Sequence, residues 1–333
     1  MAIEIIPFED EMLTAAAALL GRQQVRYRRL YPQLPVRFED PHTAGEALAT
    51  LWQGKHSDGF AAVEDGQLAA YLIGERMEND MIWGRCGWVF TPGCAYDDHI
   101  GVEVVRDLYA ALGERWVARG IFYHLVLMPL GDSQLRQAWF SLSFGIEQVH
   151  GLIDLEEMRP LMPELPAGIE IRRAMPGDGA ILAQLSDVIW KVQVETPVWA
   201  VMLPETAVET AEGWATLADD KDVTVWLAFV DGTAVGVQAY WAAEASSNKL
   251  FIPEQCVHLS VVGTRAEARG QGIGTLLTQI GLSQALEAGY RFCETDWRST
   301  NLLASRFWPR RGFRPVVYRL ARRVDPRTAW ARG

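Results

Sequence analysis

Two stretches of this chain follow one plan, 166 positions apart. "IEIIPFED" from Ile3 is echoed by "IEIRRAMPGD" from Ile169, and "FAAVEDGQLAAYLIG" from Phe60 by "WLAFVDGTAVGVQAY" from Trp226. In the second pair Asp65-Gly66 answers Asp231-Gly232. Asp-Gly between apolar runs predicts a hairpin, because glycine supplies the positive φ of a tight turn. Further on, "ARGIFYHLVL" (118–127) and "EAGYRFCETD" (287–296) each read as a helix end, a glycine stop and a strand. A short helix follows in both places, ending at "SFGI" (143–146) and at "RRGF" (310–313). The offset drifts only to 167–169, as loop insertions produce. A duplicated order of elements predicts two copies of one fold.

Between the copies lies "RPLMPELPAG" (159–168), whose three prolines and glycine read as a linker. The expected division is therefore 1–158, a linker at 159–167, and 168–333. Each half reads as strand, one or two helices, a strand meander, then helix, strand, helix, strand. That order is not the regular alternation of a doubly wound sheet. It predicts an α/β (α+β) fold: a mixed, mostly antiparallel sheet with helices on both faces.

A net charge of −11 argues against nucleic acid as the main partner. The balance is uneven, since residues 301–333 carry nine arginines against one acid, Asp325. No run approaches the apolar length of a membrane span, and "MAIEIIPFEDEML" has no signal-peptide pattern. Four scattered cysteines, Cys86, Cys94, Cys256 and Cys293, form no CxxC pair, so neither a disulfide framework nor a metal site is expected. These features predict a cytoplasmic protein with no membrane partner, monomeric or homodimeric.

"ARGQGIGTLL" (268–277) sets three glycines on alternate positions at a strand-to-helix junction. "CVHLSVVGT" (256–264) before it alternates like a strand, and Ile273, Leu276, Leu277, Ile280 and Leu286 after it lie close to one helical face. Each glycine costs roughly 1 kcal/mol in a helix relative to alanine. Bare amides at a helix N-terminus, where the dipole favours an anion, give such a cluster a purpose: phosphate binding. A Walker loop would need lysine before Ser or Thr, and Thr275-Leu276 supplies neither. A dinucleotide fingerprint would need G-x-G-x-x-G within repeated βαβ units. It stays as a minor alternative because Glu294 and Asp296 lie near the distance of its ribose-binding acid.

The remaining pattern, Arg269-Gly270-Gln271-Gly272-Ile273-Gly274, resembles the pyrophosphate turn of the GCN5-related N-acetyltransferases. "NLLASRFWPRRGF" (301–313) resembles that family's second signature, with Asn301, Ala304, Phe307, Gly312 and Phe313 in place. The resemblance covers residues 168–323, and the tandem layout is similar to that of mycothiol synthase. It implies acetyl-CoA as co-substrate, held by Val262, Gly263 and Thr264 along the strand, by Arg269 through Gly274 and Thr275 at the turn, and by Asn301. In the first half the corresponding stretch is "YDDHIGVEVV" (96–105), where Asp97, Asp98 and Glu103 would repel a pyrophosphate. That half reads as a degenerate copy without cofactor binding.

An ammonium must lose its proton before attacking a thioester, and histidine is a base near neutral pH. His258 falls where histone-acetylating members of the family carry a glutamate base, and by alternation it shares a strand face with Ser260 and Val262; a core histidine is the equal alternative. Glu294 is a nearby acid that offers a second outlet for the proton. Trp308 stands where many members place a tyrosine that protonates the departing thiolate, and indole does not yield its proton. Trp297 is a candidate wall of the acceptor pocket, and Asp187, Glu195, Glu205 and Glu209 are acids that could draw a cation, with an ordinary exposed acidic helix face as the alternative. The expected activity is acetyl transfer from acetyl-CoA to a primary amine of a small molecule. The alternatives are a silent acyl-CoA-binding sensor or scaffold, and a protein N-acetyltransferase.

Overall fold

Both Asp-Gly pairs close the hairpins expected of them. In the computed structural model, which describes residues 3–80, 83–243 and 246–331, φ is 49° at Asp65 and 79° at Gly66, and 47° and 80° at Asp231 and Gly232. Two positive-φ residues in succession match the right-handed twist of the flanking strands.

The chain divides into two units, and both halves of the sequence contribute to each. The first comprises residues 1–149, 245–253 and 315–333. Its strands are β1 (Ile3–Pro7), β2 (Ser57–Glu64), β3 (Gln67–Asp80), β4 (Gly84–Val89), β5 (Cys94–Tyr96) and β6 (Tyr123–Pro129). β7 (Gly145–Asp154) begins in this unit and ends in the other. The sheet runs β1-β2-β3-β4-β6, and the chain's last strand (Arg314–Arg323) lies antiparallel beside β6. Helices α1 (Leu13–Leu30) and α2 (Pro41–Trp52) precede β2, while α3 (Glu103–Ala118) and α4 (Ser133–Ser141) flank β6 in sequence. Asp40 and Asp132 cap α2 and α4 with their carboxylates. Two apolar clusters result: one gathers Leu108, Leu112, Trp116 and Trp139 from α3 and α4, the other Leu19, Leu48 and Leu51 from α1 and α2.

The second unit comprises residues 150–244 and 254–314. It holds the single turn α5 (Leu155–Met158), β8 (Ile169–Arg173), α6 (Gly179–Leu185), α7 (Asp187–Gln193), α8 (Pro204–Ala215), β9 (Val223–Val230), β10 (Thr233–Ala242), β11 (Cys256–Thr264), α9 (Ile273–Glu287), β12 (Phe292–Arg298) and α10 (Leu302–Arg310). β8 through β11 are antiparallel neighbours, β11 and β12 are parallel, and the end of β7 lies beside β12. The mixed, mostly antiparallel sheet is therefore the one expected. Residues 159–168 are irregular, as a proline-rich stretch should be. No helix among the described residues is long and apolar enough to cross a membrane.

Two irregularities in this sheet shape the site. The β11–β12 ladder runs only from Cys256/Phe292 to Leu259/Thr295, although β11 continues to Thr264 and β12 to Arg298. Beyond that point the parallel strands separate. On its other side β11 pairs Val261 with Ala239 and Leu259 with Tyr240, so Ser260 is an extra residue. A bulge of this kind bends a strand and resets its alternation, so Ser260 and Val262 cannot be assigned to the face of His258 by counting.

Candidate active site

Helix α9 is entered through a turn that leaves its amides uncovered. Gly270 and Gly272 have φ of 80° and 84°, and a Cβ at either would meet nothing within 4 Å. Glycine is needed there for the left-handed backbone, and the open space leaves room for a ligand. The amides of residues 270–275 donate to no acceptor among the described residues. The first turn of α9 carries no acid. Uncompensated donors at the positive end of a 15-residue helix make an anion site.

That turn opens on a cleft of about 450 Å³ along the end of β11 that runs beyond its pairing with β12. Its walls include Val262, Gly263, Thr264, Arg269, Gly270, Gly272 to Thr275, Asn301 and Trp308. Val188, Ile189 and Val192 of α7 close one side, Phe307 and Arg311 another. Gly263 has a packing reason: a Cβ there would fall 2.1 Å from Val188 Cγ2, so only glycine lets α7 approach β11. Gln271 is the one residue of the expected cofactor set outside the cleft, and its Nε2 donates to the Glu267 carbonyl at 3.2 Å. Asn301 caps α10, its Oδ1 accepting from the amides of Leu303 and Ala304 at 3.1 Å. Trp308 is buried, edge-on to Phe307 and Phe313.

Arg311 is a cleft residue that motif reading passed over. It lies over the Phe307 ring at 4.8 Å and donates from Nη2 to Thr275 Oγ1 at 2.6 Å. Its Nε is buried with no hydrogen-bond partner among the described residues. The run of arginines at the C-terminus was the available signal, but nothing in it marks which one turns inward. Trp297 does not line the cleft; its ring lies under Gly151, where a Cβ would come within 2.8 Å of it. Of the acids proposed to draw a cation, Asp187 is paired with Lys191 at 2.6 Å and Arg265 at 3.7 Å. Glu195 lines a second cavity of about 470 Å³ that shares Arg269 and Asn301 with the cleft. Glu205 and Glu209 on α8 line neither.

His258 and Glu294 lie on the paired part of the two strands, directly opposite one another in register. His258 Nδ1 donates to Glu294 Oε2 in a short hydrogen bond. The Glu294 carboxylate is 1% exposed and also receives Nδ1 of His150, at 2.9 Å to Oε1. Burial alone would raise its pKa, but the hydrogen bonds from His150 and His258 outweigh it and hold the carboxyl well below its usual range. An ionised carboxylate only accepts, so the proton of each bond sits on the imidazole. In neutral His258 that leaves Nε2 as the basic nitrogen. The Trp241 ring stands edge-on to His258 with centroids 5.5 Å apart. His150 was invisible to motif reading, because its strand belongs by sequence to the first half.

The uncovered helix entrance and its cleft lie at the end of β11 that runs beyond its pairing with β12, and neither His258 nor Glu294 is among the residues lining that cleft. Residues 192–313 match the Acetyltransferase (GNAT) family, and the chain carries a domain of that superfamily. Solved structures extend the likeness of fold along the chain. A GCN5-related N-acetyltransferase from Sphaerobacter thermophilus is 16% identical with a TM-score of 0.58, covering 97% of this chain and 96% of its own. A tandem GNAT protein from the clavulanic acid biosynthesis pathway is 15% identical with a TM-score of 0.54, covering 98% and 99%. A GCN5-related glucosamine N-acetyltransferase region of a fungal multi-domain β-N-acetylglucosaminidase is 19% identical with a TM-score of 0.56, covering 96% of this chain and 38% of the other. No curated protein matches the sequence.

Proposed function

We propose that the GNAT domain transfers an acetyl group from acetyl-CoA to a primary amine of a small molecule, by direct attack of the amine on the thioester. The observation that carries this reading is the set of unengaged amides at residues 270–275, opening on a cleft at the positive end of α9. In this reading the turn from Arg269 to Thr275 takes the pyrophosphate, and the separated edge of β11 from Val262 to Thr264 offers backbone groups to the arm that follows. Acetyl-CoA supplies the activated acyl group when bound. Gly263 and its neighbours then present preformed donors of the sort that lower an acyl-transfer barrier without any special side chain. The catalytic domain is assigned to the second half of the chain, with the first half a degenerate copy.

His258 is the general base. Its Nδ1–H is tied to Glu294, which orients the ring and stabilises the imidazolium formed when Nε2 takes the amine's proton. Trp308, packed between two phenylalanines, is not the acid for the departing thiolate. A thiol with a pKa near 8.5, by analogy with cysteine, is a tolerable leaving group as its thiolate. The same tryptophan favours a second reading, an acyl-CoA sensor with no turnover. The buried Glu294 carboxylate, held below its usual range and bonded to the half-buried His258, supports turnover, since perturbed groups of this kind concentrate at working sites.

Thiol release separates the two readings. The purified chain mixed with acetyl-CoA and a panel of primary amines should liberate free CoA with at least one of them. His258→Ala should lower that turnover by roughly a hundredfold at neutral pH while leaving acetyl-CoA affinity unchanged. Tight acetyl-CoA binding with no release against any amine would make the protein a sensor. Release at the normal rate by the variant would remove His258 from the mechanism.

A further inference from the structure

Glu294 is held by two imidazoles, and the proposed reaction uses one of them. His150 is 6% exposed, and its Nδ1 donates to Oε1 of a residue 144 positions away. A histidine that only fills a core can satisfy itself locally. His124 in the first unit does so, donating from Nε2 to the Ile121 carbonyl three residues back at 3.1 Å and accepting from Tyr109 at 2.7 Å. His150 is instead directed at a buried anion, where a charge-assisted bond is about twice as strong as a neutral one.

We propose that His150 is a positioning residue for the base: by holding Oε1 of Glu294 it fixes the carboxylate so that Oε2 meets His258, and it shares the carboxylate's charge. This rests on the reading of His258 as base. Register alone sets Glu294 opposite His258 but leaves the carboxylate free to turn. With one oxygen on each imidazole it has a single orientation, and both histidines are confined to the tautomer protonated at Nδ1. The groups facing Glu294 are His150 from the end of β7, His258 and Cys256 from β11, and Cys293 and Asp296 from its own strand. Burial holds both thiols above their usual range and therefore neutral, and an Asp296 carboxylate oxygen lies within 4.8 Å of a His150 ring nitrogen and a Glu294 carboxylate oxygen. Among the described residues His150 is then the one group besides His258 that donates a hydrogen bond to this carboxylate. Without it the whole of the Glu294 charge acts on His258, which then keeps its proton to higher pH.

The test is a titration of His258 in the full chain labelled with ¹⁵N-histidine, comparing wild type, His150→Ala and His150→Asn. Asparagine places an amide N–H where Nδ1 stood. The expected result is a midpoint for His258 raised by roughly one pH unit in His150→Ala and returned to the wild-type value in His150→Asn. Should His150→Ala not fold, His150→Phe fills the space without a donor and should show the same rise. An unchanged His258 midpoint in the donor-free variants, or a rise that asparagine does not reverse, overturns the proposal. In parallel the acid limb of kcat/KM should move by the same amount, with KM for acetyl-CoA unchanged. The titration reads the coupling whether or not the enzyme turns over. A shifted midpoint alongside full activity in His258→Ala would therefore reject His258 as base while leaving the coupling to His150 intact.

Discussion

The two helix entrances of this protein sit at equivalent places in the repeat and are built from opposite materials. At 268–277 the amides of Gly270 through Thr275 are unengaged and no acid enters the first turn. At 96–105 the amides of His99, Ile100 and Gly101 are engaged by Asp97 and Asp98, and Glu103 stands in the first turn of α3. Asp97 is also held by Arg22 at 3.1 Å and by His99 at 2.8 Å, and Asp98 by Arg26 at 3.3 Å. The first entrance is closed by its own backbone carbonyls and one side chain, while the amides of the second meet no acceptor among the described residues. The same division extends into the sheets. Opposite one another on the parallel strands, the second unit has His258 and Glu294, while the first has Trp88 and Leu125. An acid–base pair faces an apolar pair across the repeat. The strand pairing thus recurs in both units, and the His–Glu pair stands in one of them.

The largest effect expected from this contrast is on cofactor binding. Gly272→Glu puts a side chain on a residue with φ of 84° and sets a carboxylate at the mouth of the anion site. Calorimetric affinity for acetyl-CoA should fall about a thousandfold or become unmeasurable, by strain of roughly 1–3 kcal/mol together with like-charge repulsion. Gly101→Glu carries the same strain, since φ there is 74°, and should leave affinity within about twofold. Equal losses from the two substitutions would end the distinction between the entrances.

A second contrast concerns the histidines. His124 on β6 is fully buried and held neutral, with burial pushing its pKa down to about 4 and the nearby Arg322 adding to the effect against the bond to the Ile121 carbonyl. The unfolded chain takes up this proton first, near the ordinary value of 6.5. Stability from keeping His124 neutral is therefore fully present above about 6.5 and is lost progressively as pH falls to about 4, by about 3 kcal/mol in all. Urea unfolding of the full chain should show wild type losing its advantage over His124→Gln across this range. A difference that stays constant from pH 7 to pH 4.5 would mean that His124 does not bind its proton on unfolding.

The hairpins, the glycine-rich turn at 268–277 and the second signature at 301–313 were legible because each is local: a turn needs glycine at a stated position, and a strand shows its period. β11 spans Cys256–Thr264, the stretch whose alternation was read from sequence. What was not legible depends on long-range pairing. Placing residues 315–333 with the first unit and the end of β7 with the second leaves no periodic trace. His150 and its bond to Glu294 follow from that placement, so no spacing rule could have joined them. The bulge at Ser260 likewise defeats counting, because one extra residue reverses which side chains share a face. Gly263 read as a cofactor contact, and its tightest constraint comes from Val188.

The smallest predicted effect tests the contrast at one side chain. In the repeat Arg311 of "RRGF" answers Phe144 of "SFGI", and Phe144 is buried in the apolar cluster of the first unit against Trp139 and Tyr109. Arg311 replaces that ring with a cation at the cleft wall, stacked on Phe307 and bonded to Thr275 in the first turn of α9. Its buried, unpartnered Nε is a donor whose burial is costly unless a ligand supplies the acceptor. Arg311→Ala should therefore weaken acetyl-CoA binding by about tenfold, the value of one charge-assisted hydrogen bond, and make the remaining affinity less sensitive to salt. Arg311→Lys keeps the charge but not the planar fork that serves Thr275, the ring and the ligand together, so it should recover only part of the loss. Calorimetry at two ionic strengths reads both quantities. Affinity unchanged in Arg311→Ala at low salt would assign the residue to packing, and the arginine would then be doing what Phe144 does in the first copy.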